Sequence, residues 1–286
     1  MTAPPVLDAA TWSSRAAAHA ERADAFTAGR RERRSRQQKH AIEDFLFEYY
    51  PVSPAALRRW HPGVGVGLEA PAPHAGWRWY REVAGIVELD AAAFVAERGD
   101  AVRFIHGLLS ATLGRPALTG CFGLHEWAMV YREADEHRHP LPLRLGSAGT
   151  DAVVETHKIR CTHFDAYRFF TPEAVDRNTL RPTRDSMTAM EQPGCLHAGM
   201  DVYKWATKLG PAVPGDLLLD CFALARDIRT LDMQASPYDV TTYGLDPVAI
   251  ETPDGKAEYV ARQRGFAERG NVLRLRLVEV CESVLA

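Results

Sequence analysis

Residues 214–234 read PGDLLLDCFALARDIRTLDMQ. At 100° per residue the stretch divides into two sides. Asp216, Asp220, Ala223 and Asp227 fall on one; Leu217, Leu218, Cys221, Leu224, Ala225 and Ile228 fall on the other. This is the pattern of an amphipathic helix laid on a core. Two charges break it. Arg229 falls beside Leu218 and Phe222, and Asp232 falls between Cys221 and Ala225. They are three residues apart and can pair. A charge pair on the apolar side is costly unless it is well satisfied, so it marks either a closed structural pair or the wall of a cleft.

Working outward, the same period recurs. Residues 191–210, EQPGCLHAGMDVYKWATKLG, place His197, Asp201, Lys204 and Lys208 on one narrow stripe. Cys195, Val202, Trp205, Ala206 and Leu209 lie on the opposite arc. The simplest reading is a solvent face carrying an Asp201–Lys204 pair. The alternative is that the stripe faces a cleft, starting at a helix N-terminus that follows Pro193 and Gly194. Residues 188–209, 256–285, 90–113 and 11–38 also read as helices. In 90–113, Val102, Ile105, His106, Leu109 and Leu113 share a face, so His106 reads as a core histidine. WRWYREVAGIVELD (77–90) reads as a short strand or hairpin, and LPLRLG and HKIRCTHF as short strands on either side of SAGTDAVVET. The fold class expected is α+β, mainly helical, with a small central sheet. Two parts are expected: a helical arm over residues 1–38, Arg-rich at its end, and a single globular catalytic domain over 39–286.

The chain has 286 residues, 46% hydrophobic and 25% charged, which suits a globular protein with a sizeable core. It has no run of eighteen apolar residues, so no transmembrane helix is expected. MTAPPVLDAATW shows no basic segment leading into an apolar one, so no signal peptide is expected. Cys121, Cys161, Cys195, Cys221 and Cys281 form no CxxC pair, which argues against a zinc ribbon and for reduced thiols in a cytoplasmic protein. The net charge of −3 gives no bulk attraction to nucleic acid. The local exception is GRRERRSRQQKH (29–40), where Arg30, Arg31, Arg33, Arg34 and Arg36 form either a solvated helix end or an arm that contacts phosphate.

Polar residues in apolar surroundings mark the candidate chemistry. GCFGLHEWAMVY (120–131) holds two strongly polar side chains, His125 and Glu126. Burial of either calls for a partner, such as an arginine elsewhere, or a functional setting. RCTHFDAYRFF (160–170) holds His163 and Asp165 at a spacing used by two ligands of some non-haem iron sites, and equally by a hydrogen-bonded pair at a strand end. PGVGVGLEA (62–70) is close to the glycine turn of helix-hairpin-helix DNA-binding modules, but where that turn leads directly into a helix, here a Gly, Ala and Pro-rich stretch and then strand-like residues follow, so it is a near miss.

The strings KHAIEDFLFEYY, RRWHPG, GCFGLHEWAMVYR, RCTHFDAYRFFTPEA, EQPGCLHAGMDVYKWA and IRTLDMQASPYD resemble a group of bacterial, largely actinobacterial, proteins commonly named 3-methyladenine DNA glycosylase. The resemblance runs from about Lys39 to the C-terminus. It implies a cofactor-free DNA repair hydrolase that releases alkylated purines from damaged double-stranded DNA. Such an enzyme flips the base and stacks it on aromatic rings. A carboxylate then supports the oxocarbenium-like sugar. On that reading Trp127, Tyr131, Tyr203 and Trp205 are the stacking candidates. Glu126, Asp201 and Asp232 are the catalytic candidates, with Lys204 as a possible Schiff-base former.

The residues also permit a second reading. His125, Glu126, His163, Asp165, His197 and Asp201 could supply ligands to iron or manganese in a helical scaffold acting on a small molecule. That requires the three histidines to lie within about 10 Å of one another, since His N–metal bonds are about 2 Å. A third reading is a non-catalytic binding module.

Overall fold

The computed structural model describes residues 5–133 and 139–286. Residues 1–4, where the leader segment was sought, lie outside the described part. The chain divides into two compact units. The first comprises residues up to Ser110, Val202–Ala223 and Val272–Ala286; the second comprises Ala111–Asp201 and Leu224–Asn271.

The first unit carries the sheet and four helices. Strand β1 (Val6–Leu7) pairs in parallel with β2 (Gly67–Glu69), which pairs antiparallel with β4 (Ile86–Leu89), itself joined to β3 (Tyr80–Val83), giving the order β1-β2-β4-β3. The β3–β4 hairpin closes through Ala84 and Gly85, both at positive φ (51° and 78°), as a right-twisted two-residue turn requires. Helix α1 (Ala9–Ser35) starts where the Asp8 carboxylate accepts the Thr11 N–H at 2.7 Å. It buries His19, Ala23 and Thr27. Two short helices follow, α2 (Phe45–Tyr49) and α3 (Pro54–Leu57), and then α4 (Ala91–Leu113).

The second unit opens with short helices: α5 (Leu124–Ala128), α6 (Gly146–Thr156), α7 (Phe164–Tyr167), α8 (Pro172–Val175) and α9 (Met187–Met190). Three longer helices, α10 (Leu196–Leu209), α11 (Gly215–Gln234) and α12 (Pro253–Leu285), contribute residues to both units: 202–209, 215–223 and 272–285 belong to the first, the rest to the second. No helix among the described residues is long and apolar enough to cross a membrane.

The mainly helical α+β class is therefore the observed one, and the hairpin falls where the 77–90 pattern puts it. Several local expectations are corrected. The sheet is built wholly from the first 89 residues. LPLRLG and HKIRCTHF form no strands; each contributes a single bridge, Leu143 to Tyr238 and Ile159 to Asn178. SAGTDAVVET between them is helix α6. The 188–209 helix is broken at Pro193, which cannot donate to a helical ladder. The PGVGVG turn, by contrast, leads into strand β2, as its departure from the helix-hairpin-helix pattern implied. His106 is no core residue: its side chain is 34% exposed and its Nε2 lies 3.4 Å from Glu282 Oε1, while Val102, Ile105 and Leu109 are buried on the same helix.

The Arg-rich end of α1 is largely self-neutralised. Arg33 pairs with Glu43 (2.5 Å) and Asp44 (2.7 Å), Arg30 with Asp44 (3.5 Å), Arg31 with Asp24 (2.6 Å) and Arg36 with Glu32 (2.9 Å). Four of the five arginines read as phosphate contacts thus already face carboxylates; for the Arg34 side chain no carboxylate partner is seen among the described residues.

Candidate functional site

The second unit concentrates histidine and carboxylate groups in its interior. His125 comes from α5. That short helix is entered through Phe122 and Gly123, both in the left-handed region (φ 49° and 72°). A non-glycine residue there is strained, and a Cβ on Gly123 would press on Ala235 and the Tyr259 ring at 3.4–3.5 Å. The turn therefore fixes where His125 and Glu126 point. His197 and Asp201 lie one turn apart on α10. Ahead of α10, the Gln192 side chain accepts the N–H groups of Leu118 (2.8 Å) and Gly194 (2.7 Å) and donates to the Leu118 carbonyl (3.3 Å). Gly194 lies so close to this segment that a Cβ would stand 2.5 Å from the Leu118 carbonyl oxygen. Asp232 and Arg229 come from α11. Gly199 lets α10 and α11 approach closely, since a Cβ there would meet the Ile228 methyl at 2.8 Å.

These elements bring the polar residues together. His125 Nε2 lies 3.0 Å from Asp232 Oδ1. The His197 ring meets the His125 ring edge-on, with centroids 4.4 Å apart, and stacks on His163 at 5.3 Å. The three imidazoles therefore all lie within 10 Å of one another, as a shared centre requires. One ligand atom each from His125, His197 and Asp232 lies within 4.8 Å of the other two. His163 Nε2 lies 3.3 Å from Asp201 Oδ2 and 3.5 Å from Glu191 Oε1. Arg229 Nη1 donates to Glu126 Oε1 (3.0 Å) and Asp232 Oδ2 (2.8 Å), and its Nη2 donates to His139 Nε2 (3.0 Å). The pair read from the i, i+3 spacing is thus a three-way network with Glu126 as third member.

The electrostatics follow from burial. Burial alone would lower the His125 pKa, but the Asp232 carboxylate and the Cys121 thiol outweigh it and lift it to about 10. Asp232 is driven up by burial, yet the His125 charge and hydrogen bond hold it well below the carboxylate range. His197 moves the other way: burial and the neighbouring His125 charge push it well below the usual histidine value, so it is neutral and can offer a lone pair. Its Nδ1 is buried without a hydrogen-bond partner among the described residues. Burial likewise raises the Cys161 and Cys195 thiols and the Tyr259 phenol, which stay protonated.

A cavity of about 240 Å³ reaches His125 and His197 and is walled by Cys121, Cys161, Cys195 and Tyr259. Arg160, exposed, also lines it.

Of the other residues singled out, Asp165 pairs with Arg168 (3.2 Å), and Asp201 and Glu191 face His163. The α10 stripe splits: His197 and Asp201 are buried, whereas Lys204 is half-buried with Nζ 4.7 Å from the Trp205 ring centroid. The solvent-face reading of His197 and Asp201 is corrected. Trp127, Tyr131, Tyr203 and Trp205 are at most 4% exposed. Trp127 donates to the Ala235 carbonyl at 2.8 Å, the Tyr131 hydroxyl donates to Glu155 at 2.9 Å, Tyr203 packs edge-on against Tyr50 and Phe222, and Trp205 packs against Phe104. None of the four lines the cavity. Glu191, Cys121 and Tyr259 were not foreseen; the one signal for Glu191 was its place just ahead of a Pro-Gly break. Compared with family models, curated proteins and solved structures, the chain matches none.

Proposed function

We propose that the chain is a metal-dependent enzyme acting on a small polar molecule, with His197, Asp232 and, once the ion displaces its proton, His125 holding a divalent ion of iron, manganese or zinc. The observation that carries this reading is the convergence of the three ligand atoms within 4.8 Å, from three different helices, with His125 and His197 lining a cavity. Two histidines and one carboxylate form a donor set that binds such ions and leaves coordination positions open for water or substrate. The buried Nδ1 of His197, without a partner among the described residues, fits a group that completes it. An ion bound there supplies Lewis acidity and lowers the pKa of a bound water towards neutrality.

The protein's own groups complete the arrangement. Arg229 grips Asp232 through Oδ2, which leaves Oδ1 to face His125 and fixes the carboxylate's orientation. Cys161 and Cys195, held protonated by burial, add no charge to the cavity wall, and the Tyr259 phenol stands there as a neutral hydrogen-bond donor. At about 240 Å³ the space is smaller than the roughly 300–1,000 Å³ of a drug-sized pocket, so the substrate is small. Base excision draws less support from the same geometry. Tyr259 is the one aromatic ring besides the two histidines in the cavity wall, and a flipped base is held between aromatic or apolar faces.

Metal analysis of the purified full chain tests the reading. At least one iron, manganese or zinc ion per chain is expected, removable by chelator and lost in His197→Ala and in Asp232→Asn. A chain that retains none of these ions and takes none up on reconstitution would overturn it.

A further inference from the structure

The first unit has an open hollow of its own, about 370 Å³ in volume, with three tryptophans in its wall. Sequence spacing builds part of that wall. Trp12, Ala16 and Ala20 are four residues apart and share one face of α1, so a large ring is followed by two small side chains that leave depth beside it. Trp60 comes from the segment after α3, and His74 and Trp77 from a single 3-10 turn (Pro73–Gly76) and its end. His74 ties the rings together. Its centroid lies 4.2 Å from that of Trp77, 5.6 Å from Trp60 and 6.3 Å from Trp12. It is 1% exposed, and its Nε2 lies 3.1 Å from the Trp60 carbonyl oxygen. A carbonyl only accepts, so Nε2 carries the hydrogen, and burial favours the neutral ring. Nδ1 is therefore a bare acceptor, buried and without a hydrogen-bond partner among the described residues. The Trp12 N–H does not serve it, because it donates to the Glu69 carbonyl at 3.1 Å. A buried acceptor left in this state calls for a donor. Two arginines line the same hollow. Arg58 Nε lies 3.1 Å from Asp24 Oδ2. Arg59, exposed, has no carboxylate partner among the described residues, and its guanidinium carbon stands 5.1 Å from the Trp77 ring centroid.

We propose that this hollow binds a small aromatic acid whose planar ring carries an N–H. The ring lies among the indoles of Trp12, Trp60 and Trp77, the N–H donates to His74 Nδ1, and the acid group pairs with Arg59. Each part answers a feature of the wall: the indoles supply flat apolar faces, the imidazole the acceptor, and Arg59 a charge that no carboxylate of the described residues meets. Indole walls alone would suit an ammonium ion equally well. Arg59 decides against it, since a cation already stands over Trp77 and a second one beside it is repelled. The volume falls within the roughly 300–1,000 Å³ of small-molecule sites, at the lower end, which suits one or two fused rings. The inference is independent of the metal-dependent reading: Trp12, Arg59, Trp60, His74 and Trp77 belong to the first unit, whereas His125, His197 and Asp232 belong to the second.

The test is calorimetric titration of the full chain with indole-3-acetate as the probe, with chelator present so that no bound metal can take up the acid. Two matched compounds accompany it: tryptamine, which carries an ammonium in place of the acid, and 1-methylindole-3-acetate, which lacks the N–H. About one indole-3-acetate per chain is expected, with tryptamine weaker by roughly tenfold or more and the N-methyl compound weaker by roughly threefold to tenfold. Arg59→Gln should weaken indole-3-acetate by roughly tenfold without weakening tryptamine. His74→Phe keeps a ring in place but removes Nδ1, so it should abolish the difference between indole-3-acetate and its N-methyl form, which a merely structural role for His74 would leave intact. Circular dichroism checks that each variant folds; if His74→Phe does not, Arg59→Gln and Trp77→Ala, at less buried positions, decide. No saturable binding of indole-3-acetate, or binding unchanged in both Arg59→Gln and Trp77→Ala, overturns the site. Tryptamine binding more tightly than indole-3-acetate overturns the acid.

Discussion

Replacing Arg229 with methionine puts the buried charge network to a quantitative test. The guanidinium is 1% exposed and donates from Nη1 to Glu126 and Asp232 at 3.0 and 2.8 Å. Methionine fills a similar volume without the charge, so packing changes little while two buried carboxylates lose their common cation. Two charge-assisted hydrogen bonds at about 1.5–3 kcal/mol each give a loss of roughly 3–6 kcal/mol. Breaking a buried ion pair from one side costs about 3–5 kcal/mol, which agrees. For a chain of this length, at about 2 °C per kcal/mol, the melting temperature should fall by roughly 6–10 °C. Denaturant midpoints at pH 7.5 with chelator present should be compared for the wild type, Arg229→Met, Glu126→Gln and the double variant. Glu126→Gln removes one of the two stranded charges, so the double variant should be more stable than the sum of the single losses by about 1–3 kcal/mol. A loss below about 0.5 kcal/mol for Arg229→Met, or additivity within about 0.5 kcal/mol, would refute the argument, because it would mean that these groups are neither desolvated nor coupled.

Three further outcomes are expected. Burial depresses the pKa of His61 to about 3, with His74 and His19 also lowered by burial, so the unfolded chain binds more protons than the folded one below about pH 6.5. The contribution of these histidines should be fully present above that pH and fall by up to about 1.4 kcal/mol per unit for His61 as the solution is acidified, a slope that His61→Gln should reduce in denaturant titrations at pH 7 and 5. Gly194→Ala places a Cβ 2.5 Å from the Leu118 carbonyl oxygen, a backbone atom with no rotamer to yield. It should lower both the melting temperature and the metal content, whereas Gly265→Ala, where a Cβ meets nothing within 4 Å, should leave both unchanged. Incubation with alkylated duplex DNA should release no free 3-methyladenine above a protein-free control; release that is lost in Glu126→Gln would restore the base-excision reading.

The long helices were legible because their periodicity runs through many turns. Residues 214–234 sort into two faces so cleanly that Arg229 and Asp232 stand out as exceptions, and these two are the network's centre. Short segments were not legible. HKIRCTHF has the alternation of a strand, but its only ladder contact is Ile159 with Asn178, whose side chain holds the Cys161 backbone through Oδ1 (2.8 Å) and Nδ2 (3.0 Å). A run that short fits strand and extended coil equally well. The stripe on α10 was found correctly, but projection tells which residues share a face and not what lies opposite. His163, 34 residues before His197, supplies part of that environment, together with Glu191 from the turn just ahead of the helix. Glu126 needed a distant arginine as its partner, and Arg229 is 103 residues away.

The Gln192–Leu118 and His125–Asp232 contacts join residues 74 and 107 positions apart in the sequence. An ion coordinated by His125 and Asp232 would act on the chain as a removable cross-link that closes a very long loop. Loop-closure entropy grows only slowly with length but is already several kcal/mol at this span, about the scale of a disulfide closing a 100-residue loop. Unlike a disulfide, this staple would answer to a chelator rather than a reductant, so metal supply would govern how readily residues 111–201 and 224–271 open to proteases.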